Sequence, residues 1–147
     1  MGADALTEGS VGGREVWERF TPVWHLMFLA TLCGATAVAL IGDGLRGADA
    51  LLALGLAAAF ALWHWLVLAR NPQWWETRFG PLTGFWIVAT ALTAGLVTLS
   101  GGYTLMLYGL YPLMFVTLGW WGMVPVVVVT AAAMWAAGGG GGTVSVL

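Results

Sequence analysis

From Phe79 to Leu147 the chain runs for 69 consecutive residues without a Lys, Arg, Asp or Glu. A domain folded in water is about a quarter charged, so only lipid, or other protein, can cover a stretch of this kind. The rest of the sequence agrees. All twelve charged residues lie between Asp4 and Arg78, and across the 147 residues 8% are charged against 60% hydrophobic. These numbers assign the chain to the all-α membrane proteins, with about five transmembrane helices in a bundle. A net charge of −2 with no basic cluster removes the electrostatic footprint of nucleic-acid binding.

A helix needs about 20 apolar residues to cross a hydrocarbon core of about 30 Å. Hydropathy places five spans, at about 22–42, 49–70, 81–99, 103–118 and 122–137, within a bundle covering 22–137. Pro22 sits where a first helical turn tolerates proline, and Asp49 is read as the N-cap of the second span. Residues 103–137 as one helix would be about 52 Å long, too long for a bilayer. The break is therefore placed at Gly119-Trp120-Trp121-Gly122, before Pro125. Spans four and five are then short, about 16 residues each, and Pro112 inside the fourth leaves either a kinked span or a re-entrant hairpin open. Residues 1–21 form an N-terminal segment. Five glycines, Gly138 to Gly142, are expected to leave the helix as a flexible connection, and Thr143 to Leu147 read as the start of a further apolar segment, a sixth span in a longer protein.

Orientation follows from the arginines. With five spans Arg14, Arg19, Arg70 and Arg78 share one side and Arg46 stands opposite, which puts the N-terminus in the cytoplasm of a cell membrane. Nine tryptophans, Trp86 among them, map to that cytoplasmic half, and only Trp135 maps to the other end. A cleavable signal peptide does not fit, because residues 1–20 carry a net −2 and the run from Val23 to Ile41 is too long. Cys33, the single cysteine, is expected as a small buried thiol.

Ionisable groups inside a membrane are functional suspects, and within the spans only His25 and His64 are imidazoles. Antiparallel first and second helices put both at one depth near the cytoplasmic face. Two imidazoles at one level can ligate a haem or a metal; the alternative is an interfacial pair, hydrogen-bonded among Trp24, Trp63 and Trp65. No catalytic constellation and no metal cluster is visible, and the threonines at 31, 36, 90, 93, 98, 117 and 130 are expected to bond back to their own helices. Ala53, Ala57 and Ala61, and Ala91 with Gly95, form small-residue ridges suited to close packing or to a dimer contact. Tyr111 and Pro112 mark a candidate hinge.

Two segments carry a resemblance. Leu68-Ala69-Arg70-Asn71-Pro72-Gln73-Trp74-Trp75-Glu76, an interfacial loop motif built on Arg70, Pro72, Trp74, Trp75 and Glu76, and Leu107-Tyr108-Gly109-Leu110-Tyr111-Pro112-Leu113-Met114-Phe115 are together similar to the membrane input domain of actinobacterial sensor histidine kinases of the DesK and NarX-like group. The resemblance runs from about Trp17 onward. It implies a sensory bundle that relays a membrane or extracellular stimulus to a cytoplasmic kinase core outside this chain. It further implies a homodimer, a response regulator as partner, and ATP as cofactor of that core alone. This chain has no catalytic or phosphoacceptor motif, so His25 and His64 are not phosphorylation sites. The alternative is a self-contained small multi-pass protein, either a transporter-like bundle or a haem-binding electron carrier.

Overall fold

The computed structural model describes residues 22–71 and 79–139. Among them are five helices long and apolar enough to cross a bilayer, so the chain is an all-α, multi-pass membrane protein. The helices are α1 (Pro22–Gly42), α2 (Gly47–Ala69), α3 (Phe79–Leu99), α4 (Gly101–Leu118) and α5 (Met123–Gly139). They alternate in direction. The side on which α1 begins is called the lower side here, so α3 and α5 also begin there. Residues 1–21, 72–78 and 140–147 lie outside the described residues, and with them the expected N-terminal segment, most of the Arg70–Glu76 loop motif and the apolar Thr143–Leu147.

Helix is the form this chain must take in lipid, where each unsatisfied backbone group costs several kcal/mol. The ends depart from α geometry in ways that matter. α1 and α2 both finish in a π-helical turn, Val38–Gly42 and Trp65–Ala69. Asp49 does not cap α2: the helix starts two residues earlier at Gly47, after an extended Arg46, and Asp49 falls in the first turn. Gly44 in the connection and Gly47 at the start of α2 carry positive φ of 70° and 61°, which an L side chain disfavours.

The length of α4 corrects a sequence expectation. Its first six residues, Gly101–Met106, are a 3₁₀ helix and the next twelve, Leu107–Leu118, an α-helix. At about 2.0 and 1.5 Å per residue the two parts together reach about 30 Å, the full hydrocarbon thickness. α4 is therefore not short, while α5 continues through Gly138 to Gly139 instead of stopping at Ala137, 17 residues with a rise of about 26 Å. The two are joined by a 3₁₀ turn at Gly119–Gly122, where the sequence placed the break. Glycine is required there: a Cβ on Gly122 would stand 2.8 Å from the Met114 carbonyl oxygen.

The core is assembled from the inward faces. It contains Phe28, Phe60, Phe85, Leu96, Tyr103, Met106, Leu110, Leu113 and Met114, with Ala53 and Ala57 of the α2 ridge buried and Ala61 packed beside them. The second ridge divides. Ala91 is exposed, while Gly95 faces the Leu56 side chain of α2. One residue is corrected by the fold: Cys33 is exposed on α1 and so faces lipid. Trp86, in the lower half of α3, is buried in the core at 4% exposure. All seven threonines donate to a carbonyl three or four residues earlier, for example Thr93 to Ala89 at 2.8 Å and Thr117 to Leu113 at 2.8 Å.

α1 and α4 cross closely at Gly109. A Cβ there would collide with Thr31 Oγ1 and come within 3.1 Å of the Phe28 Cα, so the backbones approach as closely as only glycine allows. Gly109→Ala is expected to cost about 1–3 kcal/mol of bundle stability through overpacking. Gly55→Ala, on the open face of α2 with nothing within 4 Å, is expected to be neutral or to gain up to about 1 kcal/mol from helix propensity. Thermal or denaturant unfolding of the two variants in one detergent checks the contrast.

Candidate functional site: a histidine pair between two helices

α1 supplies His25 from its first turn and α2 supplies His64 from the turn before its π-helical end. Running antiparallel, they bring the two rings to one level on the lower side, as their spacing in the sequence predicts. His25 Nδ1 and His64 Nε2 lie 3.1 Å apart, a hydrogen bond between imidazoles, with the rings edge to face at 4.9 Å. Each imidazole has one donor nitrogen and one acceptor nitrogen when neutral, so a single proton is held between the two helices.

The surroundings are aromatic. His64 is buried at 2% exposure and stacks on Phe28 at 4.3 Å, with Phe85 of α3 tilted against it at 6.4 Å. Phe28 in turn meets Phe60 edge to face, and Phe85 meets Trp86 in the same way. The indole N–H groups of Trp24, Trp63 and Trp86 are buried without a hydrogen-bond partner among the described residues. The helix ends on this side therefore concentrate polar donors inside an apolar shell. His25 is only half-buried, so the pair grades from the core toward the edge of the bundle.

As a ligand set the pair is incomplete in this geometry. A haem iron ligated from its two opposite faces at about 2.0–2.1 Å would hold the two nitrogens about 4 Å apart, whereas these two are in direct contact. Among the described residues no group of three His, Cys, Asp or Glu converges. What the arrangement does do is hold α1 to α2 by a directional bond inside an apolar site.

Of the candidate hinge, Pro112 lies inside α4 and Tyr111 crosses to α5, its hydroxyl 2.7 Å from Thr130 Oγ1. Thr130 gives its own proton to the Val126 carbonyl at 2.6 Å, so Tyr111 is the donor to Thr130. Arg70 and Asn71 close α2, and Asn71 Nδ2 donates to the Leu66 carbonyl at 2.8 Å. Pro72, Trp74, Trp75 and Glu76 lie outside the described residues.

One polar contact escaped the sequence reading. On the upper side, Ser100 donates to Asp43 Oδ2 and accepts from the Gly102 N–H at 3.1 Å, capping the 3₁₀ start of α4, and the same N–H approaches Asp43 Oδ2 at 3.2 Å. The α1–α2 connection is thereby tied to the α3–α4 connection. Its signal in the sequence was a Ser-Gly-Gly after an apolar run, an ST-type cap of a kind that loops contain commonly.

No known family model, curated protein or solved structure matches this chain.

The His25–His64 bond is open to a double-mutant cycle. His25→Ala and His64→Ala are each expected to destabilise the bundle, and the double variant to fall short of their sum by about 0.6–1.7 kcal/mol, the range of hydrogen bonds between membrane helices. Reversible unfolding in mixed micelles measures it; strict additivity shows that the contact contributes nothing.

Proposed function

We propose that this chain is the membrane-embedded input bundle of a two-component sensor histidine kinase, lying in the cell membrane with its N-terminus in the cytoplasm and acting as a homodimer. It passes a stimulus to a cytoplasmic kinase core that uses ATP and phosphorylates a response regulator. The reading rests on the resemblance carried by the Arg70–Glu76 and Leu107–Phe115 segments, and on the distribution of arginines.

The observation that carries it furthest is the Tyr111–Thr130 bridge beside Pro112. Proline has no N–H to give the carbonyl four residues earlier, so α4 is weakened one residue after the side chain that grips α5. A helix that can bend there and hold its neighbour at mid-span converts a change in α4 into a displacement of α5, a small shift of the type by which helix bundles signal. The described connections between spans are short, with four residues from Asp43 to Arg46 between α1 and α2 and Ser100 alone between α3 and α4. The stimulus is accordingly met within the bilayer, as lipid state, temperature or an apolar compound. Because α4 is of full length, thickness acts on it through its pliancy and not through a permanent mismatch.

The second reading, a haem-binding electron carrier, depends on His25 and His64 and requires their contact to open. The experiment uses the complete gene product in nanodiscs of phospholipids with 14-, 16- and 18-carbon chains. Autophosphorylation is expected to change severalfold across the series, and Tyr111→Phe to flatten that response while leaving the protein folded. A reading frame that encodes no phosphoacceptor or ATP-binding motif, or an output indifferent to lipid, rejects the proposal. A Soret band after haem supplementation, lost in His64→Ala, favours the second reading.

A further inference from the structure

α3 and α5 run parallel, and between their lower halves they leave a lateral groove of about 520 Å³. Trp86, almost wholly buried, contributes to its inner wall, while Ile87 of α3 and Val124 and Val128 of α5, each more than half exposed, form the outer edges. Thr90 also lines it, but its hydroxyl donates to the Trp86 carbonyl at 2.7 Å and is turned to its own backbone. At the lower mouth stands Trp121, 67% exposed, in the 3₁₀ turn that precedes α5.

The setting of the groove points to its occupant. From Thr83 to Thr90 the groove follows seven residues of α3, about 10 Å of helix rise. One leaflet contributes half of a core about 30 Å thick, so the groove covers about two thirds of the distance from interface to midplane. A flexible hydrocarbon chain fits within the volume present. The groove is continuous with the lipid-facing surface of both helices and opens at the depth where indoles such as Trp121 take their place among headgroups.

We propose that this groove is a binding site for one acyl chain of a bilayer phospholipid, with the headgroup at Trp121 and the chain lying across Trp86 toward Val128. Such a lipid is held by shape, not exchanged as freely as its neighbours, because it touches two helices and the indole wall at once where an ordinary annular lipid touches a single convex surface. The site stands on the membrane embedding alone and is independent of any kinase core.

The test uses the protein in nanodiscs containing a trace of phosphatidylcholine bearing a photoreactive diazirine on one acyl chain. After illumination and digestion, mass spectrometry locates the adducts. Labelling is expected to concentrate on Ile87, Val124 and Val128 relative to equally exposed lipid-facing residues elsewhere, such as Ile41 and Leu51. Val128→Trp, which fills the groove from its lipid-facing edge, is expected to lower labelling there about tenfold, equivalent to about 1.4 kcal/mol of lost binding. Leu51→Trp, on a remote lipid-facing surface, should leave it unchanged. If Val128→Trp does not fold, the milder Val128→Phe serves, with a smaller loss expected. Labelling spread evenly over the lipid-facing surface overturns the proposal, as does full labelling of the α3–α5 residues in a folded, filled variant. Displacement of the label by free fatty acid but not by unlabelled phosphatidylcholine overturns the phospholipid as occupant.

Discussion

Lipid surrounds these helices, so an apolar side chain gains little by leaving acyl chains for a neighbouring helix. The hydrophobic force that would collapse a soluble bundle is absent between the spans, and what remains is close packing and a few directional bonds. The structure depends on that constraint. A close crossing is made at Gly109, where the α4 backbone approaches Phe28 and Thr31 of α1. Ala53 and Ala57 allow α2 to be buried along one side in the same manner.

The polar contacts stand at three depths and join different partners. On the lower side His25 holds His64, and α1 is tied to α2. At mid-span Tyr111 holds Thr130, and α4 is tied to α5. On the upper side Asp43 meets Ser100, and two connections are fastened together. A bundle fixed at a few points between otherwise featureless surfaces keeps a defined arrangement yet can move between the points. Pro112, adjacent to one of them, makes α4 the most pliant of the spans. That combination suits an element that relays a displacement, and it leaves room between α3 and α5 for a lipid to take part.

The number of spans and the position of the turns were legible in the sequence because hydropathy and bilayer thickness decide them together: Gly119–Gly122 breaks what would otherwise be an impossible helix. The level shared by His25 and His64 was legible too, since two antiparallel helices fix it by counting. Which face turns inward was not. In a soluble amphipathic helix a polar stripe marks the outside, but here Leu51 is exposed and Phe60 is buried on the same helix with no polarity to separate them. For the same reason the exposure of Cys33 and the burial of Trp86 are not written in the sequence. The full reach of α4 was hidden as well, because hydropathy counts residues and a 3₁₀ start lengthens the rise of each one. The Asp43–Ser100 contact depends on two loops meeting, 57 residues apart, which no local pattern encodes.

Cys33, the single cysteine, offers the most direct test that these helices lie in a bilayer. It stands eleven residues beyond Pro22, about 16 Å along α1, and on an exposed face. A nitroxide attached to it in liposomes should collide often with oxygen, which concentrates in hydrocarbon, and rarely with a water-soluble nickel chelate, placing it near the membrane centre. A label as open to nickel as one free in water would contradict the account, because it would put water where the whole arrangement of the chain requires lipid.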